Sequence, residues 1–168
     1  ADGTLLAAGY FAESATFGSG DDAVTLSAPP YLPGTFLVRY APDGTVEWAS
    51  GPDWWLDSEM YHSVYPDNLV ALPDGSSYLA GNYTEWDGYK SWATDMFVAK
   101  LNETGQPLWM ETAGNKYTIE PGEEDYDWLT GIAAHPDGSV LVTGQISGEA
   151  TFGHGSDART LVSVTPED

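Results

Sequence analysis

A phrase that begins with Asp-Gly and ends with Gly occurs three times, and it constrains the fold more than any other feature of the chain. The copies are residues 2–9, 74–81 and 137–144, so the spacings are 72 and 63 residues. A second phrase interleaves with the first, and its copies are residues 36–40, 97–101 and 161–165. Two phrases in a fixed order predict a repeat architecture. Such a repeat identifies a scaffold, and one scaffold hosts unrelated activities.

The segments around these phrases predict antiparallel hairpins. Residues 129–134 and 139–145 flank the turn sequence His-Pro-Asp-Gly at 135–138, in which proline sets φ and glycine tolerates a positive φ. A second kind of hairpin carries Trp48 and Trp109 at matching places of its return strand. The ten predicted strands are residues 4–11, 35–40, 45–50, 68–72, 76–83, 96–101, 107–112, 129–134, 139–146 and 160–165.

Two hairpins per unit, with a period of roughly 60 to 70 residues, predict an all-β chain of four-stranded antiparallel β-propeller blades. The predicted units are a partial first unit at 1–67, a middle unit at 68–128 and a partial third unit at 129–168, each of the first two with a connector. These amount to about two and a half blades, whereas a closed ring needs at least about four. We therefore expect an open fragment, or part of a larger ring or assembly, whose terminal strands have no partners within the chain.

The charge balance limits the partners of the protein. The sequence contains 26 acidic and five basic residues, for a net charge of -21. This charge disfavours nucleic-acid backbones and anionic membrane surfaces and favours solubility, cations and basic partners. No apolar stretch approaches the roughly 18 residues of a transmembrane helix, so membrane insertion is not expected. The absence of cysteine excludes disulfides and cysteine nucleophiles.

A third phrase, Ala-Thr-Phe-Gly, occurs at residues 15–18 and again at 150–153. Together with the other two phrases, it resembles the bacterial β-propeller repeats known as the SBBP family. The resemblance covers most of the chain, but residues 83–95 depart from it. It implies a propeller fold and a secreted or cell-surface location. It implies no catalytic residues.

Several aromatic residues lie outside the predicted repeated strands. Exposed Trp and Tyr beside carboxylates would suit a carbohydrate or protein surface ligand, because their rings combine apolar area with a polar group. The alternative is that the connectors pack these side chains beneath themselves. The candidate ligand-binding residues are Trp54, Trp55, Trp86 and Trp92.

The segment 120–127 contains five carboxylates in eight residues. Alternate residues of an extended segment point to the same side, so Glu123, Asp125 and Asp127 are candidate Ca²⁺ ligands, with Glu124 as a second choice. The alternative is a solvated acidic loop. The three histidines have no zinc-site spacing, which leaves Ca²⁺ as the one cofactor for which the sequence gives a candidate.

These observations favour a non-enzymatic, secreted or cell-surface propeller segment for binding, adhesion or assembly. Its expected partners are a protein or carbohydrate surface and either remaining propeller blades or neighbouring chains. Two alternatives stay open. One is a carbohydrate-active enzyme, a glycosidase or lyase that uses connector carboxylates and aromatics. The other is a structural subunit of an extracellular polymer that pairs through open strand edges.

Overall fold

The computed structural model describes residues 3–51, 61–86, 92–114, 125–153 and 155–163. Within these ranges the chain is all-β, with short turns of 3₁₀ helix at Gly20–Asp22 and Gly155–Asp157, and it contains no helix long and apolar enough to cross a membrane. The strands are β1 Leu5–Phe11, β2 Ser14–Phe17, β3 Val24–Ser27, β4 Gly34–Tyr40, β5 Val46–Ser50, β6 Tyr61–Ala71, β7 Ser77–Trp86, β8 Trp92–Leu101, β9 Pro107–Gly114, β10 Asp125–Tyr126, β11 Trp128–Ala134, β12 Val140–Gln145, β13 Glu149–Phe152 and β14 Arg159–Val162.

The strands form one large central sheet, a smaller sheet and two hairpins. The central sheet has the order β14-β13-β9-β8-β7-β6, and β10 pairs with β8 in parallel. The smaller sheet has the order β1-β4-β5, and the hairpins are β2–β3 and β11–β12. Apart from β10, all pairs are antiparallel. The predicted all-β, antiparallel fold is confirmed, and among the described residues the sheets are open.

Every predicted strand coincides with an observed one, but their ends and pairings differ in places. The strand predicted at 68–72 is β6, which begins seven residues earlier at Tyr61. The terminal strands do have partners within the chain, contrary to expectation: β1 pairs with β4, and β14 pairs with β13. The sequence analysis also missed β2, β3, β10 and β13.

The assignment of residues 161–165 to the second phrase is wrong. Strand β14 belongs to a hairpin, β13–β14, that matches β2–β3. Residues 15–27 and 150–162 are identical at nine of thirteen positions, and both hairpins join their strands through a 3₁₀ turn. Both also place two threonine hydroxyls 2.9 Å apart across the strands, Thr16 with Thr25 and Thr151 with Thr160. The Ala-Thr-Phe-Gly phrase therefore lies at the first strand of these two hairpins. We call β2–β3 and β13–β14 the added hairpins, because the predicted four-stranded unit does not include them.

Matching segments of the chain pair in the same register. Leu5 is opposite Tyr40 in β1–β4, and Ser77 is opposite Leu101 in β7–β8, which are matching positions of the two phrases. The hairpins β4–β5 and β8–β9 both have an irregularity before the last pair of their first strand. The hairpins β6–β7 and β11–β12 share a β-bulge at matching positions, between Pro66 and Asn68 and between Leu129 and Gly131.

This shared bulge explains why the first phrase ends in glycine. A bulge bends its strand and changes how close the backbone comes to the partner strand. A Cβ atom at Gly81 would overlap the carbonyl oxygen of Tyr65 and lie 2.9 Å from the Cα of Pro66. At the matching Gly144, a Cβ atom would lie 2.5 Å from the carbonyl oxygen of Trp128. Both glycines leave room for a bulged backbone, so a larger side chain would force the strands apart.

The central sheet is buried on both faces. On one face, Leu79, Phe97 and Leu101 pack with Leu37 of β4. On the other face, Ala80 and Met96 pack with Leu129 of β11. The hydroxyl of Thr35 donates to the carbonyl of Val64 at 3.0 Å, and the hydroxyl of Tyr78 donates to the carbonyl of Gly138 at 2.6 Å. The small sheet and the β11–β12 hairpin therefore cover opposite faces of the central sheet.

Four hairpin turns have the same two backbone hydrogen bonds. In three of them, the carboxylate of Asp43, Asp74 or Asp137 accepts from the backbone N–H and the hydroxyl of the residue two positions later. In the fourth turn the side-chain acceptor is Asn102, which lies two positions earlier in the turn and accepts from Thr104 and Gln106. The hydroxyl donors, followed by the backbone donors, lower the pKa of the three aspartates below the ordinary value of 3.8. A carboxylate that accepts two hydrogen bonds favours its charged form.

The bulge contact predicts that Gly81→Ala destabilises the fold by at least about 2 kcal/mol, because the added methyl group meets backbone atoms that cannot rotate away. Gly131→Ala is the matched control, since its φ is negative and its Cβ would meet only the Thr143 hydroxyl, at 3.0 Å. The control is expected to cost less than about 1 kcal/mol. Urea unfolding of the two variants measures both values, and equal losses would contradict the role of the bulge.

The turns predict a specific dependence of stability on pH. A folded-state pKa below 3.8 stabilises the fold above that pH, and this stabilisation disappears as pH falls through the folded-state pKa values. The triple variant Asp43→Asn/Asp74→Asn/Asp137→Asn keeps an acceptor oxygen in each turn and removes the ionisable group. Its melting temperature is expected to fall less than that of the parent between pH 5 and pH 2.5. Parallel melting curves would contradict this.

Candidate functional site

The two ends of the central hairpins differ in sequence. At one end, short turns with the same backbone hydrogen bonds join β6 to β7 and β8 to β9. At the opposite end, β6 and β8 begin and β7 and β9 end. We call this second end the connector end, because the segments 52–60, 87–91 and 115–124 attach there. Function is concentrated in variable segments that a regular scaffold positions, so the connector end is the candidate site.

The strands bring some of the predicted site residues to this end. Trp86 and Trp92 are Cα partners, at the end of β7 and the start of β8. Asp125 is the first residue of β10 and is the Cα partner of Ala93. Asp127 follows β10 directly. Four other candidates, Trp54, Trp55, Glu123 and Glu124, lie outside the described residues.

A buried asparagine joins the central sheet to the β11–β12 hairpin at the connector end. Asn82 is only 2% exposed. Its Oδ1 atom accepts from the backbone N–H of Leu129 at 2.8 Å, and its Nδ2 atom donates to Asp67 Oδ2 at 3.2 Å. A buried amide of this kind needs both its donor and its acceptor satisfied. Asn82 therefore fixes how β11 sits on β7.

A buried carboxylate lies on the opposite face of the same end. Asp95 is 6% exposed, and its Oδ2 atom accepts from the hydroxyl of Tyr83, its cross-strand partner, at 3.1 Å. A Cβ atom at Gly114 would overlap the carboxylate of Asp95. The last residue of β9 is thus a glycine that leaves space for this carboxylate.

Asp127, one of the predicted Ca²⁺ ligands, is a buried structural residue in the described part of the chain. It is 0% exposed. Its Oδ1 atom accepts from the backbone N–H of Ser147 at 2.8 Å, and its own N–H donates to the carbonyl of Thr94 at 2.8 Å. Among the described residues, no three acidic, histidine or cysteine side chains form a metal-binding group. Glu123, Glu124 and the Asp125 side chain lie outside this description, so the Ca²⁺ site of Glu123, Glu124, Asp125 and Asp127 stays a prediction.

A second candidate surface is an apolar groove between β9 and β12, with a volume of about 370 Å³. Six of its lining residues are Met96, Val98, Trp109, Glu111, Val142 and Phe152. Trp109 is 39% exposed there. Its counterpart Trp48 packs against the core on the other face, where a Cβ at Gly105 would lie 2.8 Å from its ring. The two tryptophans thus occupy matching positions and have different surroundings.

Comparisons with known proteins do not identify a family for this chain. No protein-family description matches the chain, and no curated protein matches it significantly. The resemblance to bacterial propeller repeats therefore stays an inference from the three phrases.

The sequence analysis missed the polar residues that organise the connector end. Asn82 directly follows the glycine that ends the second copy of the first phrase, and Asp95 directly precedes the strand predicted at 96–101. The sequence did contain a signal for these residues, because each is a polar residue within or beside an apolar strand. A polar residue that is buried in such a strand needs a hydrogen-bond partner. The partners of Asn82 are 15 and 47 residues away in sequence, so local pattern does not identify them.

The link between Asn82 and Leu129 predicts that Asn82→Ala lowers the free energy of unfolding by about 1–3 kcal/mol, because a buried N–H loses its acceptor. Thr130→Ala serves as the control, since it removes an exposed hydroxyl from the same hairpin. We expect the control to change stability by less than about 0.5 kcal/mol. Urea unfolding distinguishes the two, and an Asn82→Ala value as small as the control would rule out this link.

Proposed function

We propose that the chain is a β-propeller segment that serves as a non-enzymatic binding or assembly module, secreted or exposed at the cell surface. One observation carries the propeller part of the proposal: the β1-β4-β5 sheet and the β11–β12 hairpin cover opposite faces of the central sheet. Each of them matches strands of that sheet in register, β1-β4-β5 with β7-β8-β9 and β11–β12 with β6–β7. Blades of a propeller stack face to face in this way around an axis. The resemblance to SBBP repeats supports the same arrangement and the extracellular location.

The contrast between the two ends of the central hairpins supports a binding role. The four hairpin turns keep one set of backbone hydrogen bonds, as a scaffold would. The connector end has different residues in each unit, including the Trp86–Trp92 strand pair. Aromatic residues at the ends of rigid strands suit a carbohydrate or protein surface, because they contribute large contact areas at low entropic cost.

The burial of the acidic residues favours binding over catalysis. A glycosidase needs two carboxylates that reach the substrate from either side of the scissile bond. Asp95 and Asp127 are buried and accept hydrogen bonds from Tyr83 and Ser147. These two carboxylates are therefore committed to the scaffold, and the enzymatic alternative receives no support from them.

The proposal predicts retention on a polysaccharide or protein surface without turnover. Insoluble cellulose, chitin and xylan, together with immobilised collagen, are suitable probes for a co-sedimentation assay. We expect retention on at least one probe and no release of reducing ends or peptides. The variant Trp86→Ala/Trp92→Ala should reduce retention at least about tenfold, since each aromatic anchor contributes more than about 1 kcal/mol.

The matched control is Tyr31→Ala, which removes a fully exposed aromatic residue from the segment between β3 and β4. Its retention should equal that of the parent. Release of reducing ends in proportion to protein concentration would establish the enzymatic alternative. Equal retention of the tryptophan variant and the control would remove the connector end as the binding site.

A further inference from the structure

The outer edge of β12 differs from the edges of its two counterparts. Strands β1, β7 and β12 hold the same position in the three copies of the first phrase. Strand β1 pairs with β4 and β7 pairs with β8, in the same register. Among the described residues, β12 pairs with β11 alone. Leu141, the counterpart of Leu6 and Tyr78, is accordingly 67% exposed.

The residues that line the groove beside this edge match, by position in the repeats, residues of the filled core on the other face of the central sheet. Val98, Trp109 and Val142 line the groove. At the matching positions of the filled core are Leu37, Trp48 and Leu79. That core also contains three side chains from β8, namely Phe97, Ala99 and Leu101. The groove therefore corresponds to the space that a strand like β8 fills in the other core.

The added hairpin supplies one more matching contact. In the first unit, the ring of Phe17 on β2 lies 4.8 Å from the ring of Phe36 on β4. Phe152 on β13 matches Phe17 and lines the groove. An aromatic residue at the Phe36 position of an incoming strand would therefore contact Phe152. Such tilted aromatic pairs contribute beyond their buried area.

Charge and sequence pattern define the incoming strand. The two strands in this position, β4 and β8, read Phe-Leu-Val-Arg-Tyr and Phe-Val-Ala-Lys-Leu. Each places its basic residue opposite the counterpart of Leu141, namely Leu6 or Tyr78. The chain has a net charge of -21. A basic strand is attracted to this surface, whereas a second copy of the chain is repelled.

We infer that the β12 edge and the adjoining groove form an acceptor site for one extended strand of a partner polypeptide. The partner strand pairs antiparallel to β12. Its aromatic residue lies opposite Gly144, and its basic residue lies opposite Leu141. Backbone hydrogen bonds supply affinity, and alternate apolar side chains in the groove supply specificity. This inference rests on the proposed propeller arrangement and adds to it the position, register and chemistry of the contact.

The test uses a dye-labelled peptide of residues 33–41, acetylated and amidated, with the full chain as the acceptor. The control peptide exchanges Phe36 with Leu37 and Val38 with Arg39, which keeps the composition, moves the Phe and Val side chains to the other face and brings Arg to the groove face. Fluorescence anisotropy should show saturable binding of the first peptide and at least about tenfold weaker binding of the control. Methyl NMR signals of Met96 and Val142 should shift with the first peptide alone, which tests the location without any substitution.

Two acceptor variants test the groove. Val142→Glu places a charge among apolar lining residues and should weaken binding at least about tenfold. Thr143→Glu adds the same charge on the opposite face of β12, where the side chain is exposed, and should change binding less than about twofold. Near-ultraviolet circular dichroism verifies the fold of each variant.

Equal affinity for both peptides, or no binding at about 1 mM, would overturn the inference. Self-association of the parent in sedimentation equilibrium that Val142→Glu abolishes would identify a second copy as the occupant and would overturn the partner named here. If the peptide does not bind while polysaccharide or collagen retention persists, this inference fails and the proposed binding function stands. If the peptide binds but the chain is not retained on polysaccharide or collagen, the proposed binding function fails and this inference stands.

Discussion

The structure depends on the burial of both faces of β7 and β8. Phe97 and Leu101 are 1% and 0% exposed on one face, and Ala80 is fully buried on the other. Each fully buried large apolar side chain contributes about 1.5–3 kcal/mol relative to an exposed one. A sheet with two apolar faces is stable only if something covers both of them. The small sheet and the β11–β12 hairpin are those covers, and the stacked arrangement follows from this requirement.

The contact between a glycine and the opposite β-bulge gives the hairpins β6–β7 and β11–β12 the same strand register. The bulged strands β6 and β11 bring a carbonyl oxygen to Gly81 and Gly144, respectively. The residues beside these glycines then face the neighbouring layer in a fixed order, since a shift by one residue would turn every side chain to the other face. Thus Leu79 and Val142 face the preceding layer in both hairpins. A short phrase in the sequence therefore encodes a register.

The repeated phrases allowed the ten main strands to be predicted, because turn residues and β-formers are local signals. Strands β2, β3 and β13 were not predicted, because each has only four residues. The run 161–165 was placed in the wrong phrase because a short apolar run matches many strands equally well. The buried roles of Asn82 and Asp127 depend on partners 47 and 20 residues away, so no local pattern predicts them.

The division of the molecule into a uniform turn end and a variable connector end links the fold to the proposed function. The stacked sheets position the strand ends from which the connectors leave, and the β12 edge is the proposed site for a further strand. The most direct measurement is a methyl–aromatic NOESY spectrum of the intact chain. We expect NOEs between Phe97 and Leu37 and between Met96 and Leu129 in the same sample. Absence of either set would contradict a central sheet covered on both faces.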